Sequence, residues 1–163
     1  MSVVQKTDEI TPDEYLQSEL ISEIKHELID GYAYAMAGAS KNHGRISANL
    51  MYQLVKHLKV STCEPFGSDM KVRVDSNFFY PDVIVVCDDR SDNDYYTDSP
   101  IIIVEVVRRS DDWRSKRYYM GDEITFDSIG LTIAVEEIYL RVQNEDVATY
   151  LAKKEEEARL AAE

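Results

Sequence analysis

Two short, nearly unbroken apolar runs, Tyr80-Pro81-Asp82-Val83-Ile84-Val85-Val86 and Ile101-Ile102-Ile103-Val104-Glu105-Val106-Val107, each carry one acidic residue. Val/Ile runs of this length read as strands. An ionised carboxylate inside such a strand is costly unless something positive meets it, and a divalent metal is a common partner that wants two oxygens. Asp82 and Glu105 are therefore candidate metal ligands. A plainer alternative stays open on the residues alone: Asp82 ends a turn after Pro81, and Glu105 pairs with an arginine in a strand.

With 163 residues, 44% of them hydrophobic, the chain has material for one domain with a real core and too little for two. No stretch reaches membrane-spanning length, and Met1 to Glu9 lacks the basic and apolar regions of a signal peptide, so a cytoplasmic protein is expected. Cys63 and Cys87 form no CxxC pair and have no His at ligand spacing; both read as small apolar core residues in a reducing compartment. The formal net charge of -13 argues against broad gripping of phosphates, so any nucleic-acid contact must be local. Basic clusters stand at Lys71 and Arg73, and at Arg108, Arg109, Arg114, Lys116 and Arg117; the base rate favours solvated surface for each.

Thr11-Pro12-Asp13-Glu14 has a capping residue, proline at the first helical position and glutamate at the third, which predicts a short helix. Asp30-Gly31 between His26–Ile29 and Tyr32–Met36 predicts a hairpin with a two-residue turn. Ile46, Leu50, Leu54 and Leu58 recur at helical period after Gly38-Ala39-Ser40, with Met51 and Val55 widening the stripe of a main core helix. Asp69 to Val74 alternates like a strand with one wet face, and Asp75-Ser76-Asn77 turns the chain into the strand bearing Asp82. Farther on, Arg114–Tyr119 and Glu123–Phe126 suggest a hairpin around Gly121-Asp122, and Val135 to Tyr139 one helical turn. From Asn144 the chain is polar and Ala-rich, a solvated helix or a tail. The fold class is α/β or α+β with a mixed sheet, without repeats or a low-complexity linker.

His43 follows the Ser40-Lys41-Asn42 cap on the first turn of the core helix, where a side chain can reach a cleft; capping or surface exposure is the plainer reading. His26 and His57 show no partner pattern. Glu27 is a further candidate carboxylate, with exposure on a strand as its alternative. GxxxxGK[ST], GxGxxG, GxSxG and HExxH are all absent, which leaves nucleotide-driven, dinucleotide, serine-hydrolase and zincin chemistry without support.

Taken in order, Lys25-His26-Glu27-Leu28-Ile29-Asp30-Gly31, Met36 to His43, Ser68 to Val72, Tyr80-Pro81-Asp82-Val83 and Ile103-Val104-Glu105-Val106 resemble the putative restriction endonuclease family of the PD-(D/E)XK nuclease superfamily. The likeness resumes from Arg109 to Trp113 and runs through Ser128–Leu131 to Ile138-Tyr139, so it covers almost the whole chain. It implies a mixed central sheet flanked by helices over residues 1–143, with 144–163 as a polar helix or tail. Asp82 would be the aspartate of the PD motif and Glu105 the acid of the (D/E)XK half-motif, both binding Mg²⁺ or Mn²⁺. Glu27 would be an extra ligand and His43 a positioning group. The implied reaction is metal-assisted attack of water on a DNA phosphodiester.

The sequence departs from that pattern where Val107 stands in place of the motif's lysine, two residues after Glu105. The family expects the lysine instead from a downstream helix that follows a Ser-rich turn. Here Val104 to Arg109 reads as one strand joined directly to a later one, an internal deletion near 107–108. Lys71, Arg108 or Arg109 could stand in for the lysine, and spacing selects none of them. The lost helix would uncover apolar surface that a homodimer could cover. The sequence thus predicts a metal-dependent DNA endonuclease with impaired catalysis; its alternative is a noncatalytic remnant serving binding or oligomerisation.

Overall fold

The computed structural model describes residues 9–88, 93–106 and 117–161, which form two compact units. The first holds residues up to 39 and 60–105; the second holds 40–59 and residues from 106 onward.

The first unit begins with α1 (Pro12–Glu19), whose start is the expected capping box: the Thr11 amide donates to Glu14 Oε2 (2.8 Å) and the Glu14 amide to Thr11 Oγ1 (3.3 Å). β1 (His26–Ile29) and β2 (Tyr32–Ala35) then pair antiparallel around Asp30 and Gly31, both at positive φ (49° and 82°), as the two-residue turn demands. With β4 (Lys71–Val74), β5 (Asn77–Phe79) and β7 (Tyr96–Thr97) they make a mixed five-stranded sheet, ordered β2-β1-β5-β4-β7, in which only β4 and β7 run parallel. α1 covers this sheet through Tyr15, which packs with Leu28 and Phe78.

A second, antiparallel sheet, β3-β6-β8, is built from β3 (Cys63–Gly67), β6 (Val83–Cys87) and β8 (Pro100–Val104). Val83, Ile84, Val85 and Val86 are all buried, which is why this central strand reads as a continuous apolar run. Val72 of β4 packs with Ile84 and Val86, so the two sheets share a core.

Several expectations need correction. β4 does not alternate: Lys71 and Val72 are buried while Arg73 and Val74 are exposed, because Lys71 lies against neighbouring aromatic and acidic groups. Cys63 and Cys87 are not separate apolar thiols; the β3–β6 register sets them directly opposite and a disulfide joins them. A separation of 24 residues leaves no local motif to betray that pairing. β3 and β7 were not foreseen, having little periodic pattern.

In the second unit, α2 (Lys41–Leu58) is capped by Ser40, whose hydroxyl accepts from the His43 amide. Leu50, Leu54 and Leu58 form its buried stripe, Ile46 and Met51 are half-buried, and Val55 is exposed, so the stripe is narrower than expected. Asn49 Nδ2 donates to the carbonyls of Ile138 and Leu140, tying α2 to α3 (Val135–Ile138), the helical turn foreseen there. β9 (Glu123–Phe126) pairs with β10 (Leu131–Ala134); of the expected partner segment, residues 117–119 are not in a strand and 114–116 lie outside the described residues. A 3-10 turn at Asp127–Ile129 and Gly130 at φ 62° close that hairpin. α4 (Glu145–Ala161) is the polar terminal helix; of its residues only Val147 is buried. Among the described residues no helix is long and apolar enough to cross a membrane.

Candidate metal centre

The β6–β8 ladder pairs Val83 with Val104, Ile84 with Ile103 and Val85 with Ile102. Extending it by one residue sets Asp82 opposite Glu105. Neither acid lies inside a strand: Asp82 is half-buried in the bend between β5 and β6, and Glu105 is exposed just past β8. The expectation of two carboxylates hidden in apolar strands is therefore corrected, since each occupies the first position where the apolar run opens to water.

Glu27, in β1, is half-buried, and its Oε1 accepts the backbone N–H of Tyr80 (3.1 Å), two residues before Asp82. Among the described residues, no three His, Cys, Asp or Glu side chains are gathered as a metal cluster. His43 lies on α2 in the second unit, its ring half-buried on the first turn as the spacing indicated. Val107, Arg108, Arg109, Arg114, Lys116 and the supposed junction lie outside the described residues.

Sequence reasoning missed a polar network behind Tyr80. Glu19, the last residue of α1, has a side chain only 4 % exposed. Its Oε2 accepts from the Tyr80 hydroxyl (3.0 Å) and the His26 amide (3.3 Å), and its Oε1 lies 2.9 Å from His26 Nδ1. Tyr15 adds a hydroxyl donated to the His26 carbonyl (2.5 Å). His26, for which the sequence showed no partner pattern, is thus held by two residues of α1. The signal was faint: Glu19 ends a helix and His26 begins a strand, and no periodicity links them.

Two ammonium groups face the Tyr80 ring, Lys71 Nζ at 5.1 Å and Lys25 Nζ at 5.5 Å from its centroid. Lys25 also pairs with Asp69 and donates to the Ser68 carbonyl. Burial pushes the Lys71 ammonium below the usual lysine range; nearby Glu19 opposes that shift and Lys25 adds to it. Burial, then the charge of Glu19, raises the Tyr80 hydroxyl well above the ordinary phenol range. Tyr15 is raised likewise, first by burial. Arg73 instead lies on the surface, donating to the Asp75 carbonyl and the Tyr96 hydroxyl.

A family model described as Uma2, putative restriction endonuclease, matches residues 12–121. The chain belongs to the Uma2 family. That match takes in α1, both sheets of the first unit, Asp82 and Glu105. Two Synechocystis sp. proteins, each carrying the description uncharacterized, are also similar to this Uma2 chain. One, slr1290, is 32% identical over 174 residues, covering 80% of this chain and 91% of its own. The other, sll1609, is 32% identical over 149 residues, covering 88% of this chain and 84% of its own. The slr1290 alignment is longer than the whole 163-residue chain, so it includes positions with no counterpart here. The crystal structure of a putative nuclease belonging to DUF820 from Anabaena variabilis is 20% identical, with a TM-score of 0.42 over 48% of this chain and 43% of that one. A likeness that slight carries no argument.

Proposed function

We propose that this Uma2 chain is a metal-dependent DNA endonuclease of the PD-(D/E)XK type, cutting a phosphodiester with Mg²⁺ or Mn²⁺, and that its catalysis is weakened by loss of the lysine-bearing segment. The observation that carries this reading is the Asp82–Glu105 juxtaposition at the end of the β6–β8 ladder. The donor set fits such an ion: hard divalent cations take carboxylate oxygens, and Mg²⁺ binds through one or two carboxylates plus substrate phosphate, without needing a protein cage. Both acids stand at strand ends, so rigid elements would hold them while substrate has access. When bound, the ion would activate a water and offset charge on the phosphate oxygens.

The remaining work falls to the chain's own groups. Asp82 and Glu105 hold the metal, and Glu27, which is not gathered with them as a third ligand, steadies the Tyr80–Asp82 corner through its bond to the Tyr80 amide. Lys71 takes the part of the missing lysine, because it is buried against the ring of Tyr80, two residues before Asp82. With a net charge of -13, contact with DNA is confined to the neighbourhood of the acidic pair. A cytoplasmic location belongs to the same proposal.

One observation favours a second reading, a noncatalytic binding or oligomerisation module. Ile101 and Ile103 of the edge strand β8 are 42% and 52% exposed, an apolar stripe that a homodimer would cover. Plasmid nicking decides between the two. Nicking that requires Mn²⁺ and disappears in Asp82→Ala supports the enzyme; inactivity of the parent, together with a stable dimer that Ile103→Asp dissolves, supports the module.

A further inference from the structure

We propose that Glu19 is a positioning residue, which fixes the Tyr80-Pro81-Asp82 corner by holding the Tyr80 hydroxyl. The argument starts from burial: a carboxylate whose side chain is 4 % exposed is costly to keep, and here it is kept with donors from two other segments of chain. Hydrogen bonds to a carboxylate fix geometry as well as energy.

Tyr80 is clamped at both ends. Its backbone N–H is held by Glu27 in β1 and its hydroxyl by Glu19 at the end of α1. The ring between them meets the ammonium groups of Lys25 and Lys71. Pro81 then restricts φ, and Asp82 is the single residue left before β6 begins at Val83. The direction in which Asp82 leaves the corner is therefore set by where Tyr80 is held. Glu19 touches neither substrate nor metal in this scheme; it acts through Tyr80, as outer groups of metal sites commonly act through the ligands they orient. The proposal rests on the nuclease reading for its purpose, but its geometry can be tested without it.

The test compares the full-length parent with Glu19→Ala, Glu19→Gln and Tyr80→Phe by amide hydrogen exchange and by Mn²⁺ affinity from electron paramagnetic resonance. Glu19→Ala and Tyr80→Phe are expected to speed exchange at Asp82 and Val83 about ten-fold. Both should also weaken Mn²⁺ binding about ten-fold. Glu19→Gln, which keeps an acceptor for the Tyr80 hydroxyl, should restore most of both properties. Should Glu19→Ala lose its cooperative melt, Tyr80→Phe, which deletes one hydroxyl only, decides the matter. Unchanged exchange at Asp82 and Val83 in the variants that melt cooperatively overturns the proposal. A parent that binds no Mn²⁺ overturns the metal reading instead, and the exchange comparison still decides on Glu19.

Discussion

Asp82 immediately precedes Val83 and Glu105 immediately follows Val104, and Val83 and Val104 are partners on adjacent antiparallel strands. The register thus carries the two acids to opposite backbone positions one residue beyond the Val83–Val104 pair. Pairing of Ile84 with Ile103 and of Val85 with Ile102 along the neighbouring part of the ladder holds that register.

Glu105 is exposed, so removing it should cost function and little else. Glu105→Ala is expected to melt within about 0.5 kcal/mol of the parent, as surface substitutions do, while losing Mn²⁺-dependent nicking. Denaturant titration and a plasmid assay on the same preparation check both parts.

Packing should be as uneven as burial along this sheet. Ile84, 0% exposed in the central strand, should lose about 3 kcal/mol on Ile84→Ala. Ile103→Ala, its cross-strand partner on the exposed edge, should lose about 0.5 kcal/mol or less. Urea midpoints of the two variants measure the contrast.

These elements differ in how far the sequence betrayed them. The Thr11 capping box, the Asp30-Gly31 hairpin and the α2 stripe were legible because each is specified within a few residues by capping, turn or periodic chemistry. The apolar runs around Asp82 and Glu105 were read too literally, as strands that enclose their acids, because hydropathy marks a run without marking where pairing stops. Glu19, His26 and Tyr80, and the Cys63–Cys87 pair, were not legible at all. Their relations cross from helix to strand or from strand to strand, and only tertiary folding brings them together.

The disulfide closes a separation of 24 residues, and a loop of that size is worth about 3 kcal/mol through restriction of the unfolded chain. Cys63→Ser, or reduction of the parent with dithiothreitol, should lower the melting temperature by similar amounts. Reduction should have no further effect on Cys63→Ser. Calorimetry with and without reductant checks this.

Alkaline pH should act on the Lys71–Tyr80 contact in two opposite ways. Lys71 has its folded pKa lowered by burial, so from that value up to the ordinary lysine pKa of 10.5 the unfolded state binds more protons and stability rises with pH. Tyr80 has its folded pKa raised from 10.0, so stability is lost as pH climbs above that value and the unfolded phenol ionises first. Lys71→Met should abolish the rise and leave the fall; Tyr80→Phe should lessen the fall. Denaturation midpoints recorded across the alkaline range separate the two.

The most direct test of the acidic pair is thermal unfolding of the parent and of Asp82→Ala, each with and without millimolar Mn²⁺. A ligand that binds only the folded state stabilises it by about 2.7 kcal/mol when present at about one hundred times its dissociation constant. A cooperative melt that Mn²⁺ moves upward in the parent and leaves in place in Asp82→Ala is the predicted result. A cooperative parent melt indifferent to Mn²⁺, or an equal shift in both proteins, would contradict a metal centre at Asp82 and Glu105.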